Sequence, residues 1–364
     1  MSAPEVLETP TPGRLEYSAT ELLMGHPYEE PLIADGVRCH GGFIEGRYVS
    51  PRTFNRQPAI EAWQQRLREE GQPLLNLPTE YVPPHYPSYE QAKFLLKEGL
   101  VDPISRSLTI ISIVEGFGAR IRDLPLPDLH KVIKEDIGGT AIDHLAKGLI
   151  EAHARDEAGH RNEGGHKQMW EAARDLGLDK PELPGDILAR MMMGRSRPER
   201  KRMFPALAER TENMVGFMTQ VMIIEIVAED VFEWAKRLLG DPEVCKNTDA
   251  AAAMVAAIQA DEKPHVEYLR TALSEMRGRT FLCEDGVTEL PGHEVVDPMF
   301  EAGLRGMVST RPREDRERLR EEIHDAIEDK ARASQISSKF EDLDSGWVFP
   351  KGDDEKLDLL LEVA

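Results

Sequence analysis

The sequence predicts an all-α protein built around a four-helix bundle. Two observations carry that expectation. Helical periodicity dominates residues 88–277, broken by Gly and Pro at turn-like intervals. Within that region two Glu-x-x-His motifs recur, Glu157-Ala-Gly-His160 and Glu262-Lys-Pro-His265. Each follows a helical run in which acid interrupts apolar residues: Glu115 in SLTIISIVEGFG, Glu225 and Glu229 in MIIEIVAEDVF. Residues three apart on a helix lie about 60° apart around its axis, so each motif aims a carboxylate and an imidazole the same way.

Three domains are expected: an N-terminal arm (1–87), the bundle (88–278) and a C-terminal loop and charged helix (279–364). Prolines at 10, 12, 51, 58, 73, 78, 83, 84 and 87 keep interrupting the arm, so only 59–70 reads as a helix there. The arm is expected to drape over the main body, with a disordered tip. Helices are then expected at 89–98, 104–123, 129–136 and, as one long element, 141–176, followed by a Pro-containing connector at 181–204. Further helices are expected at 209–239 and 249–276, a hairpin or loop at 280–294 and a charged helix at 314–333. Level ligands on antiparallel neighbours lie equally far from the turn between them. The midpoint of Glu115 and Glu157 is residue 136, beside Gly138-Gly139, and that of Glu229 and Glu262 is 245–246, in the loop 240–248, both where turns are expected.

Of 364 residues, 40% are hydrophobic and 30% charged, enough apolar content for a sizeable core. The formal charge of −21 argues against a phosphate-neutralising nucleic-acid surface. Cys39, Cys245 and Cys283 are too few and too scattered for a disulfide framework or a zinc ribbon. Without a basic segment leading an apolar core at the N-terminus, or an apolar run of ~18 residues, a cytoplasmic protein with no membrane span is expected.

The chemistry follows from the set. Mixed oxygen and nitrogen donors suit divalent iron or manganese, and imidazole also accepts zinc. Four buried carboxylates would repel one another, whereas two divalent cations balance them in formal count. The expected ligands are Glu115, Glu157, His160, Glu229, Glu262 and His265. Glu225 lies nearer the centre of the apolar stripe of its helix and Glu229 about 40° further round, but Glu229 has the better spacing from Glu262 and is preferred. His153, four residues before Glu157, is an additional ligand or a donor to Glu157. His144 and His166 have weaker claims. No group beyond the ligands is expected to be catalytic. A Met-rich run at 213–224 suggests an apolar substrate pocket beside Met218, Val221 and Met222.

These residues resemble the ferritin-like di-iron carboxylate superfamily, in which each half of the bundle supplies a Glu and then Glu-x-x-His. The resemblance covers residues 100–275. It implies a ferritin-like bundle holding two iron ions, or Mn/Fe or Mn/Mn, and an oxidoreductase that uses O2 on a small organic substrate. Electrons would come from an external donor, since no dinucleotide fingerprint is present. A homodimer is one assembly open to such a chain. His153 is similar to the additional histidine of the arylamine N-oxygenases, carried there on the second Glu-x-x-His helix and here on the first. The rival expectations are a metal-storage or peroxide-protective protein, the dimanganese type included, and a structural bundle whose Glu and His bind only each other.

Overall fold

The fold is described from a computed structural model, covering residues 9–347 apart from 78, 184, 186–201, 310 and 345. It is mostly helical, with a few short strands. The first eight residues, most of the expected connector and the chain beyond 347 lie outside the described residues.

The N-terminal segment is more ordered than its prolines suggest. A short α1 (Ala19–Leu22) precedes an antiparallel sheet of β1 (Glu30–Ala34), β2 (Val37–Ile44) and β3 (Arg47–Val49). The turn residues Asp35-Gly36 and Glu45-Gly46 have positive φ, which lets the strands reverse tightly. Helix α2 (Arg56–Glu69) then buries Ile60, Trp63 and Leu67.

The main body begins with α3 (Tyr89–Lys97), started by a capping box at Ser88 and Gln91. Helix α4 (Asp102–Gly118) gives way to a 3-10 turn (Ala119–Asp123), and the expected helix at 129–136 shrinks to α5 (Leu129–Val132). The single helix expected at 141–176 is three pieces: α6 (Ala141–His144), α7 (Ile150–Ala158) and α8 (His166–Gly177). Two glycines cause the breaks, Gly148 at φ 130° and Gly159 at φ 76°, both conformations unfavourable for a residue with a side chain. Two long helices follow, α9 (Glu209–Leu239) and α10 (Thr248–Arg277), packed along each other across the turn at Gly240. Helix α10 also packs on α8 and α2, and α8 packs on α4.

Beyond α10 a hairpin of β4 (Thr280–Leu282) and β5 (Glu289–Pro291) leads into α11 (Gly292–Ser309), which covers α9. The charged helix expected at 314–333 is two elements, α12 (Arg311–Asp325) and α13 (Lys330–Asp342). Among the described residues, no helix is long and apolar enough to cross a membrane.

The apolar core falls into two clusters. One gathers Tyr17, Trp63, Leu149, Met218, Met222 and Tyr268; the other gathers Leu108, Trp170, Phe232, Leu238 and Ile258. Along α9 the change occurs between Met222 and Phe232, and along α10 between Ile258 and Tyr268. The residues between are Glu225 on one helix and Asp261, Glu262 and His265 on the other. A polar layer therefore crosses the molecule between two apolar ones.

Gly159 tests this account of the broken helix. A Cβ there would lie 2.2 Å from the Glu163 carbonyl oxygen and 2.6 Å from the Gly165 nitrogen. Gly159→Ala is expected to destabilise the protein by at least ~1–3 kcal/mol in urea unfolding, the usual cost of a strained backbone position. A cost below a few tenths of a kcal/mol contradicts the account.

Candidate metal centre

Seven side chains converge in the polar layer: Glu115 from α4, His153 and Glu157 from α7, His166 from α8, Glu225 from α9, and Glu262 and His265 from α10. They form two overlapping groups, His153/Glu157/Glu225/His265 and Glu115/Glu157/His166/Glu262. In each group the facing donor atoms lie within 4.8 Å of one another. Glu157 belongs to both. Glu262 also spans them, with Oε1 2.7 Å from Nδ1 of His166 and Oε2 2.7 Å from Nδ1 of His265. Nε2 of His153 is 3.5 Å from Glu225 and 3.7 Å from Glu157. The site is deeply buried, with Glu115 and Glu225 the most open, at 11% and 9% side-chain exposure.

Local structure explains each placement. Gly118 leaves room for Glu157, since a Cβ there would sit 2.7 Å from the Glu157 carboxyl carbon. His160 is not brought into the group: α7 ends at Ala158, so the motif Glu157-Ala-Gly-His160 is not helical across its length. The chain loops through residues 159–165 and returns a different imidazole, His166, at the start of α8. The loop is fixed by β2: the His40 amide donates to the Gly164 carbonyl and the Gly164 amide donates to the Arg38 carbonyl.

Glu229 lies outside the group as well. It is exposed and accepts a 2.6 Å hydrogen bond from Gln259 Nε2, while Glu225 takes the inward position. Gln259, three residues before Glu262, reaches Glu229 and Glu233, so Glu229 has a suitable height on the helix pair and height alone does not exclude it. Azimuth does. Helix α9 buries the stripe through Met218, Met222, Glu225 and Phe232, and Glu229 falls off its edge. His153 is fully buried within the group, and His144 lies elsewhere, accepting from the Tyr17 amide.

The outer layer was not foreseen. His265 turns Nε2 to Asp156 at 3.0 Å, and His166 turns Nε2 towards Asp261 at 3.5 Å. Each aspartate immediately precedes a glutamate of the group and serves the histidine of the other half. His153 has Tyr268 Oη 3.1 Å from Nδ1. In His153 and His265 the nitrogen turned away from the carboxylates is hydrogen-bonded, the usual support for metal-binding imidazoles, whereas Nε2 of His166 only faces Asp261. The N-terminal segment completes this layer. Arg52 and Arg56 pair with Asp156 at 2.7 and 2.8 Å, and His40 Nε2 and Tyr48 Oη lie 2.8 and 2.9 Å from Asp261. Pro264 has no N–H to offer the Ala260 carbonyl, and the Ser50 hydroxyl donates to that oxygen instead. A signal for the outer layer exists in the sequence: the Asp-Glu doublet repeats, at 156–157 and 261–262.

Do these residues fit a metal? Nε2 of His153 and Oε2 of Glu157 are buried without a hydrogen-bond partner, and Nδ1 of His166 and Oε1 of Glu262 meet only each other, at 2.7 Å and without hydrogen-bond geometry. Buried polar atoms are rarely left so, and these four face common points, as donors to cations would. Burial pushes Glu115 up to about 8 and Glu225 well above the carboxylate range, both reinforced by the neighbouring Glu262 and Glu157. Against the same burial, His166 and His265 hold Glu262 well below it, and Glu262 in turn lifts both imidazoles. Without metal the cluster balances its charge by keeping protons, and divalent cations would displace them.

The pocket expected beside Met218, Val221 and Met222 is not among the cavities found in the described residues. These side chains are buried in the core cluster with Tyr268. The two best-formed cavities lie elsewhere, at Arg106 and Leu319 and at His85, Arg316 and Trp347. Comparison with protein-family models, curated proteins and solved structures gave no match.

Two predictions follow from placement. Glu225→Ala and His166→Ala should each lower bound metal far more than Glu229→Ala and His160→Ala, by elemental analysis after reconstitution; the reverse order sinks this assignment. Metal uptake should also release protons near neutral pH, because Glu115, Glu225, His166 and His265 all stand above their ordinary values in the metal-free state. The sign is that apparent affinity rises with pH through this range. Calorimetric heats that do not change with the ionisation enthalpy of the buffer would contradict it.

Proposed function

We propose that this protein holds a dinuclear transition-metal centre, iron in the first instance, in a ferritin-like arrangement, and works as an oxidoreductase that uses O2. The carrying observation is the set of four glutamates and three histidines facing one another, with His153 and His265 held from behind by Tyr268 and Asp156. Two divalent ions would balance the four carboxylates. Glu115, Glu157, Glu225 and Glu262, with His153, His166 and His265, would hold the ions. When bound, such a pair supplies one-electron redox steps at adjacent ions. The chain's own residues hold the donors, keep the imidazoles in one tautomer and exclude bulk water. Asp156 is placed to accept the outward imidazole proton of His265, and Asp261 faces the outward nitrogen of His166. Glu115 and Glu225, the least covered ligands, mark the side from which a small oxidant reaches the centre.

Oxidation of a small organic substrate is the reading the resemblance supports. The close packing around Met218 and Met222 favours a second, in which the centre reduces O2 or peroxide protectively, or handles iron itself, with no organic partner. A divalent cluster without redox partners remains structural. Reconstitution with ferrous iron under argon should give about two equivalents per chain, as the donor set implies. Less than half an equivalent would end the dinuclear reading. On admitting O2 to the loaded protein, a loss of ferrous iron faster than in protein-free buffer is expected, and an unchanged rate removes the oxidoreductase. Product formation from a panel of small organic substrates then separates the two redox readings.

A further inference from the structure

We infer that the two metal positions are unequal, with the position at His153, Glu225 and His265 binding iron first and more tightly than the position at Glu115 and His166. The inference rests on the dinuclear reading above. Charge does not separate the positions. With Glu157 and Glu262 shared, each keeps one further carboxylate, Glu225 or Glu115, so each formal share is the same. Nitrogen does separate them. The first position has two imidazoles and the second has one. Ferrous iron favours imidazole more than manganese does, whereas carboxylate and water suit manganese.

The extra imidazole is preorganised. His153 stacks on His265 with ring centroids 3.9 Å apart and planes 7° from parallel, and Tyr268 holds its Nδ1. Both rings are fully buried, so little side-chain freedom remains to be lost on binding. The outer layer does not reverse this order. Asp156 meets Nε2 of His265 at hydrogen-bond distance, 3.0 Å, although it shares its charge with two arginines. Asp261 is held by His40 and Tyr48 and stays 3.5 Å from Nε2 of His166, outside hydrogen-bond reach. The additional nitrogen therefore decides between the positions. The second position is thus the one that exchanges readily and tolerates manganese.

The test is an anaerobic titration of the metal-free, full-length protein with ferrous iron, read by calorimetry, and with manganese, read by electron paramagnetic resonance. Wild type should bind iron in two steps separated by about 10-fold or more, the scale on which one supporting group changes metal affinity. His153→Ala should weaken the first step until the two merge, with the total still near two equivalents. Glu115→Ala should remove the second step alone. Manganese added to protein carrying one iron should occupy the second position without displacing iron. If His153→Ala does not fold by circular dichroism, Tyr268→Phe carries the test and should weaken the first step only. Equal steps in wild type, or a first step unchanged by His153→Ala, would overturn the inference while leaving the dinuclear reading intact. Absence of any binding would overturn both.

Discussion

The structure depends on placing four carboxylates in a layer largely closed to water. Each buried ion costs several kcal/mol unless it is paired, and Glu157 and Glu262 stand within reach of the other members of the group. Much of the chain can be understood as a response. Three imidazoles face the acids, two aspartates and a tyrosine hold the imidazoles, and two arginines offset Asp156. The apolar clusters on either side keep this layer dry, which strengthens each interaction and makes each orphaned atom costly. Protons can meet the charge demand in the metal-free protein. Two divalent cations would meet it without protonating ligands.

The sequence shows Glu115, Glu157, Glu262 and His265, and offers Glu225 and His153 only as alternatives, because helical spacing reveals what lies along one uninterrupted helix. Glu262 and His265 are three apart on α10, and spacing alone places them together. The first half behaves differently. Glu157-Ala-Gly-His160 has the same spacing, but Gly159 ends the helix before the histidine, and the imidazole is supplied six residues later. Gly159, Gly164 and Gly165 were visible as punctuation, and their meaning depends on a strand pairing that local pattern does not reveal. The choice of Glu225 over Glu229 is a case of rotation overriding spacing. Both have suitable heights, and only the buried stripe of α9 decides between them.

The N-terminal segment shows why a weak local pattern is a poor guide to importance. Its prolines and glycines leave little periodicity, so it reads as an arm. Yet β2 fixes the loop that delivers His166, and residues 40–56 supply the partners of both orienting aspartates. Short strands and turns carry these groups because a polar partner needs one correct position rather than a repeating face.

The paired aspartates also explain how the halves act as one unit. Asp156 lies beside Glu157 on α7 but supports His265 on α10, and Asp261 lies beside Glu262 on α10 but supports His166 on α8. Each half therefore supplies a ligand to the centre and the brace for its counterpart's imidazole. Moving one helix would misplace a carboxylate and release a histidine on the other helix at the same time. Groups coupled in this way are non-additive on substitution, and the cross-bracing lets the chain hold seven donor side chains from five helices at one level. The N-terminal segment grips both aspartates, so the same coupling extends to it. The placement of the donor side chains and the docking of residues 40–56 are accordingly parts of a single arrangement.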